Sequence, residues 1–359
     1  MNTSIPHYPA VVIGGGQSGL AAASALRRAG TDPVVLEAGD GAGGSWPDYY
    51  DSLKAFSPNR FNSMPGLDFD GDPDGYPSRD EVAHYLARYA EALELPVRTD
   101  ARVTEVTEEA AGFGVHIAGQ QMITANAVVA ASGSFGRPHR PRLTGQDEFR
   151  GELLHVAEYR NPEPFTGRRV VVVGGGNSAV QVACELAEVA TVTVASPEPF
   201  RLVPQQLNGH DAHHLLVAGF DHLPPHWLAR LVGGPLVMDV GGYAELFASG
   251  AAERRPMFTE LTSDGVRWSD DETEAVDTII LATGYRPDLG YLQGLGALDD
   301  NAAPLHVGGL STTHVGLGYI GLELQRSFAS NTLRGVTRDA DAIAPAIAAV
   351  ANGAHRLAI

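Results

Sequence analysis

Residues 11–19 read VVIGGGQSG, and residues 170–179 repeat the same plan as VVVVGGGNSA. Each run is a short apolar segment typical of a buried strand, followed by a glycine-rich turn and a sequence that favours a helix. The glycines permit a tight turn, close approach of the backbone to a pyrophosphate, and close packing of helix on strand; the fingerprint tolerates Ala179 as its third small residue. Two such units far apart in one chain predict an α/β protein with two Rossmann-like domains, each binding one dinucleotide.

The acid that follows the second strand of a dinucleotide-binding unit helps to select its ligand. Residues 33–36 (PVVL) predict this strand in the first unit, and Glu37 follows it directly. A carboxylate at this point accepts a hydrogen bond from a ribose hydroxyl and repels a 2′-phosphate. The first site should therefore hold FAD or NAD rather than NADP.

The second unit has no clear counterpart of Glu37. Its second strand is predicted over residues 191–195 and is followed by Ser196, Glu198 and Arg201. NADP sites place an arginine near this point and NAD sites an acid at the strand end. Here Ser196 can donate to either coenzyme, Glu198 opposes a phosphate, and Arg201 is the nearest cation. We therefore predict a relaxed choice between NADPH and NADH.

A third motif lies between the two glycine motifs. Residues 149–159 read FRGELLHVAEY, which places Phe149, Gly151, His155 and Tyr159 in the spacing F-x-G-x-x-x-H-x-x-x-Y. This spacing resembles the signature of the flavin-containing monooxygenases, the class B flavoprotein monooxygenases. Together the motifs cover most of the chain, and the resemblance is to short bacterial members, including oxidoreductases associated with arsenic resistance.

The resemblance implies the two-dinucleotide flavoprotein fold. The first glycine motif would then bind FAD, and the second would bind NADPH or NADH. We expect residues 1–150 to form the first part of the FAD-binding domain and residues 151–288 to form an inserted NAD(P)H-binding domain. Residues 289–359 are expected to return to the FAD-binding domain.

The resemblance also implies an activity. Such relatives are FAD-dependent, NAD(P)H-consuming monooxygenases that insert one oxygen atom from O2 into a soft nucleophile through a flavin C(4a)-hydroperoxide. Tyr159 resembles the branch that oxidises amine nitrogen or sulfide sulfur, some members of which also oxidise ketones; the Baeyer–Villiger form of the motif ends in Trp or Pro. In this family the motif is thought to govern how the coenzyme is held, so we assign His155 no general-base role.

Two other classes of function stay open. One is an NAD(P)H-dependent flavin reductase or oxidase that releases peroxide or passes electrons to a partner. A version with a redox-active thiol pair is excluded, because Cys184 is the only cysteine. The other class is a non-catalytic dinucleotide sensor or scaffold, which a purified protein with a colourless cofactor would favour.

The candidate cofactor-binding residues come from the glycine motifs and from segments that resemble the family. Residues 43–46 (GGSW) resemble a segment beside the flavin ring, and Val103 lies where relatives contact adenine through the backbone. Residues 131–133 and 282–285 resemble the strand ends at which the chain passes between the domains. The candidates at the first site are Gly14, Gly16, Gln17, Ser18, Gly19, Glu37, Gly44, Ser45, Trp46, Val103, Ser132, Gly133, Gly318 and Tyr319. Those at the second site and the linker are His155, Gly174, Gly176, Asn177, Ser178, Ala179, Ser196, Arg201, Thr283, Gly284 and Tyr285.

Two departures from the family pattern concern residues expected near the flavin. Relatives often carry Gly-Asp, whose acid meets the ribityl chain, where this chain has Gly318 and Tyr319. Several heteroatom-oxidising relatives carry an Asn close to the flavin edge, at about the place of Phe56 or Ser57. Ser57 and Asn59 are therefore our candidate catalytic residues; the hydroxyl of Ser57 can hydrogen-bond the flavin adduct, whereas Phe56 cannot. Peroxide leakage or a different substrate class would follow from this departure.

The composition limits the partners and the location. Acidic residues outnumber basic ones by 43 to 25, and the net charge of −18 disfavours nucleic acid and anionic membranes as partners. No signal peptide and no apolar run of membrane-spanning length is evident, and one cysteine allows no internal disulfide. We therefore expect a cytoplasmic enzyme that acts on a small-molecule substrate and O2. The oligomeric state stays open, with a homodimer as the commonest soluble form.

The remaining segments give local predictions. Ser78 opens a capping box that predicts the start of a helix. Residues 120–124 and 126–131 predict two separate strands, and residues 327–336 predict a helix that points its N-terminus at the flavin. Residues 204–250 are the least patterned and predict a long, glycine-containing cover over the substrate entrance. Their five histidines lack the spacing of metal ligands, so we predict no metal site.

Overall fold

The computed structural model describes residues 5–231 and 234–353. The outer ends of the two predicted FAD-binding segments, and residues 232–233 of the predicted cover, lie outside the described residues. Within the described part the chain forms two large sheets, each built around parallel strands with helices packed on them.

The strands, α-helices and 3-10 helices of the described residues are named here in chain order. The strands are β1 (His7–Ile13), β2 (Pro33–Leu36), β3 (Val97–Arg98), β4 (Val103–Glu109), β5 (Gly112–Ile117), β6 (Ile123–Ala130), β7 (Arg137–Pro138), β8 (Glu152–His155), β9 (Arg169–Val173), β10 (Thr191–Ser196), β11 (Arg201–Pro204), β12 (Gln206–Leu207), β13 (His210–Asp211), β14 (Leu236–Asp239), β15 (Ala252–Pro256), β16 (Glu260–Thr262), β17 (Gly265–Arg267), β18 (Thr273–Ala275), β19 (Thr278–Leu281), β20 (Tyr285–Arg286), β21 (His306–Val307), β22 (Leu310–Ser311) and β23 (Leu317–Tyr319). The α-helices are α1 (Gln17–Arg28), α2 (Arg79–Ala92), α3 (Asn177–Leu186), α4 (His213–Ala218), α5 (Pro225–Leu231), α6 (Tyr243–Ser249) and α7 (Leu333–Ala351). Short 3-10 helices cover Trp46–Asp48, Asn59–Phe61, Glu163–Phe165, Phe220–His222 and Gly290–Leu295.

The first sheet carries the first glycine motif. Its strands follow the order β21-β22-β23-β6-β1-β2-β3, with the antiparallel β4–β5 ribbon joined to β6. The central strands are parallel and buried on both faces, which explains their continuous apolar sequences. Helices α1, α2 and α7 cover one face, and the β4–β5 ribbon with residues 289–297 covers the other. The capping box at Ser78 is confirmed and begins α2.

The second sheet carries the second glycine motif and is parallel throughout. Its order is β15-β10-β9-β19-β8. One face packs against α3 and α6, and the other packs against the β16–β18 sheet around Trp268. The chain crosses between the two sheets where β7 pairs antiparallel with β20. Leu143 and Phe149 pack against the second sheet.

The predicted strands at 120–124 and 126–131 are replaced by the single strand β6 (Ile123–Ala130), and residues 120–122 and 131 lie outside it. Its first residues pair with β5, and its later residues pair with β23, while β1 pairs along most of its length. A single strand therefore replaces the two that we predicted, because different parts of one strand can pair with different neighbouring strands.

The helix predicted at residues 327–336 was misplaced. Helix α7 begins only at Leu333 and continues to Ala351. The hydroxyl of Ser330 accepts hydrogen bonds from the backbone N–H groups of Arg326 and Ser327, which holds the preceding residues in turns. Serine side chains compete with helical backbone bonds in this way.

The segment predicted as a cover contains more regular structure than its sequence indicated. It holds β12–β14 and α4–α6, all of them short. Helices of six or seven residues make too few turns for a periodic pattern to stand out. Strand β14 and helix α6 pack on α3, whereas residues 205–222 reach the first sheet's side of the molecule.

Candidate functional site

The first glycine loop lies between the carboxyl end of β1 and the start of α1. Gly14 has φ of +109°, and a Cβ on it would lie 2.6 Å from the carbonyl oxygen of Ala131, just after β6. A Cβ on Gly19 would overlap the carbonyl oxygen of Gly14 and lie 2.8 Å from its carbonyl carbon. Helix α1 therefore packs close to β1, and its N-terminus has no side-chain cap. Its free N–H groups suit a pyrophosphate.

Glu37 is fixed beside this loop. It is 8% exposed, and its carboxylate accepts hydrogen bonds from the backbone N–H groups of Gly15 (2.5 Å) and Gly39 (2.7 Å). The N–H of Ala101 donates to the Glu37 carbonyl at 2.8 Å, which brings the start of β4, at Val103, to the same end of the sheet. A fixed carboxylate here suits a ribose hydroxyl. The loop, the uncapped helix and the acid together fit FAD.

A chain of polar side chains links the loop to the GGSW segment. The indole Nε1 of Trp46 donates to Oε1 of Gln17 at 2.8 Å, and Nε2 of Gln17 donates to the carbonyl oxygen of Asn331 at 2.9 Å. Gly44 packs directly on the glycine loop, and Ser45 precedes the 3-10 turn that starts at Trp46. The structure therefore brings Gln17, Gly44 and Trp46 together at one edge of the first site.

Gly321 is a residue of this site that the sequence analysis missed. It has φ of +86°, and a Cβ on it would lie 2.8 Å from Cβ of Ser18 and 3.7 Å from Cα of Gly133. Gly318 and Tyr319, which we predicted instead, lie within β23. Gly318 packs on α7, and the Tyr319 hydroxyl donates to a core carbonyl at 3.2 Å. The signal that could have identified Gly321 is a glycine just beyond the end of a parallel strand.

Ser132 ties a later segment to the end of β6. Its hydroxyl donates to the carbonyl oxygen of Asp288 at 3.1 Å and lies 3.1 Å from the Tyr291 hydroxyl. Gly133, which follows it, faces open space at its Cα. Ser132 thus orders residues 288–291, and the space beside Gly133 is open.

The second glycine loop repeats this construction. A Cβ on Gly174 would lie 3.0 Å from the carbonyl carbon of Ala282 and 3.4 Å from Cβ of Ala179. Ala179 is fully buried, so its methyl group fits where the first loop needs glycine. Asn177 accepts a hydrogen bond from the backbone N–H of β14 at 3.2 Å. A Cβ on Gly176 would meet no atom within 4 Å, so this side is open for a pyrophosphate.

Ser196, at the end of β10, and Arg201, which follows it, are two residues that we predicted to contact the coenzyme. The Ser196 hydroxyl donates to the carbonyl oxygen of Glu198 at 2.8 Å and is buried. Arg201 is exposed at the start of β11. Phe200 lies beside the glycine loop instead, because a Cβ on Gly175 would lie 3.5 Å from its Cβ.

His155 of the linker motif joins the linker to the segment after β19. The N–H of Ala157 donates to its Nδ1 at 3.1 Å, so Nε2 carries the proton and donates to the carbonyl oxygen of Gly284 at 3.0 Å. The imidazole is fully buried and meets the ring of Tyr285 edge-on, with centroids 5.1 Å apart. Thr283 donates to a linker carbonyl at 2.5 Å. Both ring nitrogens are hydrogen-bonded to backbone groups, so neither is free for proton transfer.

Tyr159, the last residue of the motif, holds the two glycine-motif units together. Its hydroxyl donates to the carboxylate of Glu185 on α3 at 2.8 Å. Tyr50, from the loop that follows the first unit, packs against the Tyr159 ring and donates to Gln181 on α3. Its hydroxyl lies near the Ser178 side chain at the start of that helix. The motif therefore fixes one dinucleotide site relative to the other.

Known proteins share this arrangement. The pyridine nucleotide-disulphide oxidoreductase family matches residues 11–205, more than half of the chain. Indole-3-pyruvate monooxygenase YUCCA1 from Oryza sativa subsp. japonica is 33% identical over 324 residues, which are 80% of this chain and 80% of that protein. The flavin-containing monooxygenase from Stenotrophomonas maltophilia is 31% identical with a TM-score of 0.85, over 96% of this chain and 99% of its own. This chain belongs to the flavin-containing monooxygenases.

As a flavin-containing monooxygenase, the protein is a flavin-dependent oxidoreductase that uses FAD and a nicotinamide coenzyme. The uncharacterized oxidoreductase CzcO of Bacillus subtilis (strain 168) is 28% identical over 349 residues, 94% of this chain and 98% of its own. The thiol chemistry in the wider family's name is not available here. Cys184 is the only cysteine, and burial raises the pKa of its thiol to about 12.

The candidate catalytic residues of this monooxygenase have structural partners. The Ser57 hydroxyl donates to Oδ1 of Asn62 at 2.6 Å, and the Asn62 amide donates back to the Ser57 carbonyl at 2.9 Å. Asn59 donates to the carbonyls of Asp70 and Asp72 and so holds an adjacent loop. The proton of Ser57 and the amide N–H groups of Asn59 therefore have protein partners, and the catalytic roles of both residues stay predictions.

Residues 205–222 lie against the segment that contains Phe56, Ser57 and Phe61. His213 is fully buried; its ring stacks on Phe56 at 5.9 Å, and its Nδ1 lies 2.9 Å from a carboxylate oxygen of Asp211. Asp221 forms a two-point ion pair with Arg334 of α7, at 2.8 and 3.0 Å, with side chains only 2% and 3% exposed. These contacts hold residues 205–222 against the first unit.

Membrane spans and metal clusters are both absent from residues 5–231 and 234–353. In that part of the chain, no helix is long and apolar enough to cross a membrane. The same residues contain no group of three histidine, cysteine or acidic side chains that could hold a metal ion. Of the histidines in residues 204–250, His213 is buried and packs on Phe56 and Phe61, whereas the other four are exposed.

Replacing His155 with glutamine is expected to flatten the dependence of stability on pH. Burial lowers the pKa of His155 below its ordinary value of 6.5. The neutral ring therefore contributes fully above pH 6.5, and that contribution is lost as the pH falls from 6.5 through the lowered pKa. Thermal unfolding from pH 8 to pH 5 should show a difference between wild type and variant that shrinks on acidification. Parallel curves would contradict this assignment.

Proposed function

We propose that this enzyme consumes NADPH or NADH and transfers one oxygen atom from O2 to the nitrogen of an amine or the sulfur of a sulfide. The observation that carries this proposal is the linker between two complete glycine loops. There, His155 binds Gly284 and Tyr159 binds Glu185. Tyr159 is the residue that resembles the heteroatom-oxidising branch of the family.

Each part of the chain has a definite task in this proposal. FAD, when bound, accepts hydride from the coenzyme and activates O2. The loop at Gly14 and Gly19 would hold its pyrophosphate, and Glu37 its ribose. The loop at Gly174 would hold the coenzyme. Residues 205–222, which pack against the first unit, would limit the access of water to a bound FAD.

We extend the proposal to domains, location and assembly. Residues 1–150 and 289–359 would form the FAD-binding domain, with the NAD(P)H-binding domain at 151–288 between them; the β7–β20 pair supports a crossing slightly before residue 150. A cytoplasmic location and a homodimer remain predictions from composition and from the commonest soluble form.

A second candidate function is an oxidase that releases peroxide. Phe56 stands near the place where relatives carry an asparagine, and the Ser57 proton is engaged by Asn62. Neither Phe56 nor Ser57 would therefore offer a free donor to a bound flavin. This favours some release of peroxide when no substrate is bound.

The test compares what becomes of the oxygen. FAD-loaded enzyme would be supplied with NADPH alone, then with a dialkyl sulfide, a tertiary amine or a cyclic ketone, and peroxide and oxygenated product would be counted per NADPH. We expect peroxide alone without substrate, and a sulfoxide or N-oxide with a matching fall in peroxide when a soft nucleophile is present. One peroxide per NADPH under every condition would show an oxidase. Lactone formation without sulfoxide or N-oxide would move the enzyme to the ketone-oxidising branch.

A further inference from the structure

The two glycine loops differ in what lies beside their middle glycine. In the first unit a Cβ on Gly15 would meet the side chain of Glu37 at 2.9 Å. In the second unit the corresponding neighbour of Gly175 is Phe200, at 3.5 Å. The place of an acid that selects a free ribose hydroxyl is therefore taken by an aromatic ring, which neither binds that hydroxyl nor repels a 2′-phosphate.

A guanidinium group lies on this aromatic ring. The Cζ of Arg254 is 3.8 Å from the centroid of Phe200 and 5.4 Å from that of Phe247, and its Nη2 donates to the Phe200 carbonyl at 2.5 Å. Arg254 comes from β15, which pairs in parallel with β10 and sets Arg254 opposite Val194. The neighbouring strand thus delivers a cation to the point where β10 ends.

The charge of Arg254 is available for a ligand. Arg254 is exposed and makes no ion pair with any residue of the described part of the chain. The adjacent Arg255 is different, because it pairs with Asp270 at 3.1 Å and Glu272 at 2.8 Å. Stacking and one backbone bond hold the Arg254 guanidinium in place while several of its N–H groups stay free, as phosphate recognition requires.

We propose that Arg254 binds the 2′-phosphate of NADPH, and that the enzyme consequently prefers NADPH to NADH. The proposal rests on the second glycine loop being the coenzyme site, as the proposed function requires. It replaces the relaxed choice expected from Ser196, Glu198 and Arg201, since none of those side chains stacks beside Gly175. A charge-assisted arginine–phosphate contact changes affinity by roughly 10- to 100-fold.

The test measures binding rather than turnover. FAD-loaded enzyme would be titrated calorimetrically with adenosine 2′,5′-bisphosphate and with 5′-AMP, which differ only in the 2′-phosphate. We expect wild type to bind the bisphosphate at least tenfold more tightly. Arg254→Gln should bring the two affinities together while leaving that for 5′-AMP unchanged, which also shows an intact site. Arg254→Lys should keep part of the preference.

Matched variants show whether the preference belongs to Arg254 or to another arginine. Arg255→Gln, on the same strand but already ion-paired, should keep the wild-type preference. Equal binding of both nucleotides by wild type would overturn the role of Arg254. A preference that survives Arg254→Gln and disappears in Arg201→Gln would overturn it too, because Arg201 would then bind the 2′-phosphate. Either result would leave the proposed function standing. If neither nucleotide binds wild type, the second loop is not a coenzyme site and the proposed function fails with it.

Discussion

Replacing Gly19 with alanine is expected to give a protein that does not retain FAD. The added Cβ would overlap the carbonyl oxygen of Gly14 and lie 2.8 Å from its carbonyl carbon and 3.4 Å from Val12. These are main-chain atoms and a strand side chain of the buried core, so the helix must move away from β1. Overpacking of this kind costs about 3 kcal/mol or more when the backbone cannot yield. Flavin absorbance per protein and the midpoint of thermal unfolding should both fall.

The matched control is Gly41→Ala. A Cβ on Gly41 would meet no atom within 4 Å, and its backbone conformation suits alanine. This variant should retain wild-type flavin content and stability. Full flavin content in Gly19→Ala, with an unchanged unfolding midpoint, would show that α1 does not depend on its close approach to β1.

Replacing Asp221 with asparagine is expected to destabilise the protein strongly and to loosen residues 205–222 from the first unit. Asp221 and Arg334 are 2% and 3% exposed, and the amide would leave the Arg334 guanidinium buried without a counter-charge. Breaking one side of a buried ion pair costs about 3–5 kcal/mol. Hydrogen exchange of residues 205–222 should accelerate, because this pair and the His213–Phe56 contact hold that segment to the first unit. Denaturant unfolding should shift to lower concentrations.

An exposed pair provides the comparison. Arg142 and Asp147 form an ion pair in which both side chains are 76% exposed. Asp147→Asn should change stability by less than about 1 kcal/mol, because water screens that pair. Equal effects of the two substitutions, or unchanged exchange of residues 205–222 in the Asp221 variant, would mean that the buried pair does not hold that segment to the first unit.

Features encoded by neighbouring residues were predictable. Strand β2 was placed residue for residue, and α2 begins after Ser78, where the capping box puts it. A helix follows the first glycine loop as expected, although α1 begins at Gln17, inside the motif. Those signals act through local backbone geometry, so a short window of sequence contains them. The start of α7 was misplaced for a local reason too, because the hydroxyl of Ser330 accepts hydrogen bonds from the backbone N–H groups of Arg326 and Ser327 and holds these residues in turns.

Features that depend on distant neighbours were not predictable. Gly321 joins the first site because β23 runs parallel beside β6 and ends next to Ser18. Ser57 was predicted to act on the flavin, and only packing shows its hydroxyl bound to the fully buried Asn62. The pattern of residue types along the chain does not record which polar group a side chain will meet after folding.

The sequence by itself determined the two dinucleotide-binding units, the linker between them and the family, since each depends on residue types at fixed spacing. Only the tertiary structure decided which groups surround each loop. Arg254 reaches Phe200 because β15 pairs with β10, far from it in the chain. Glu37 binds Gly15 from the end of β2, the second strand of the same dinucleotide-binding unit. The acid of the first site was therefore visible in the sequence, whereas the cation of the second appeared only when parallel strands were brought side by side.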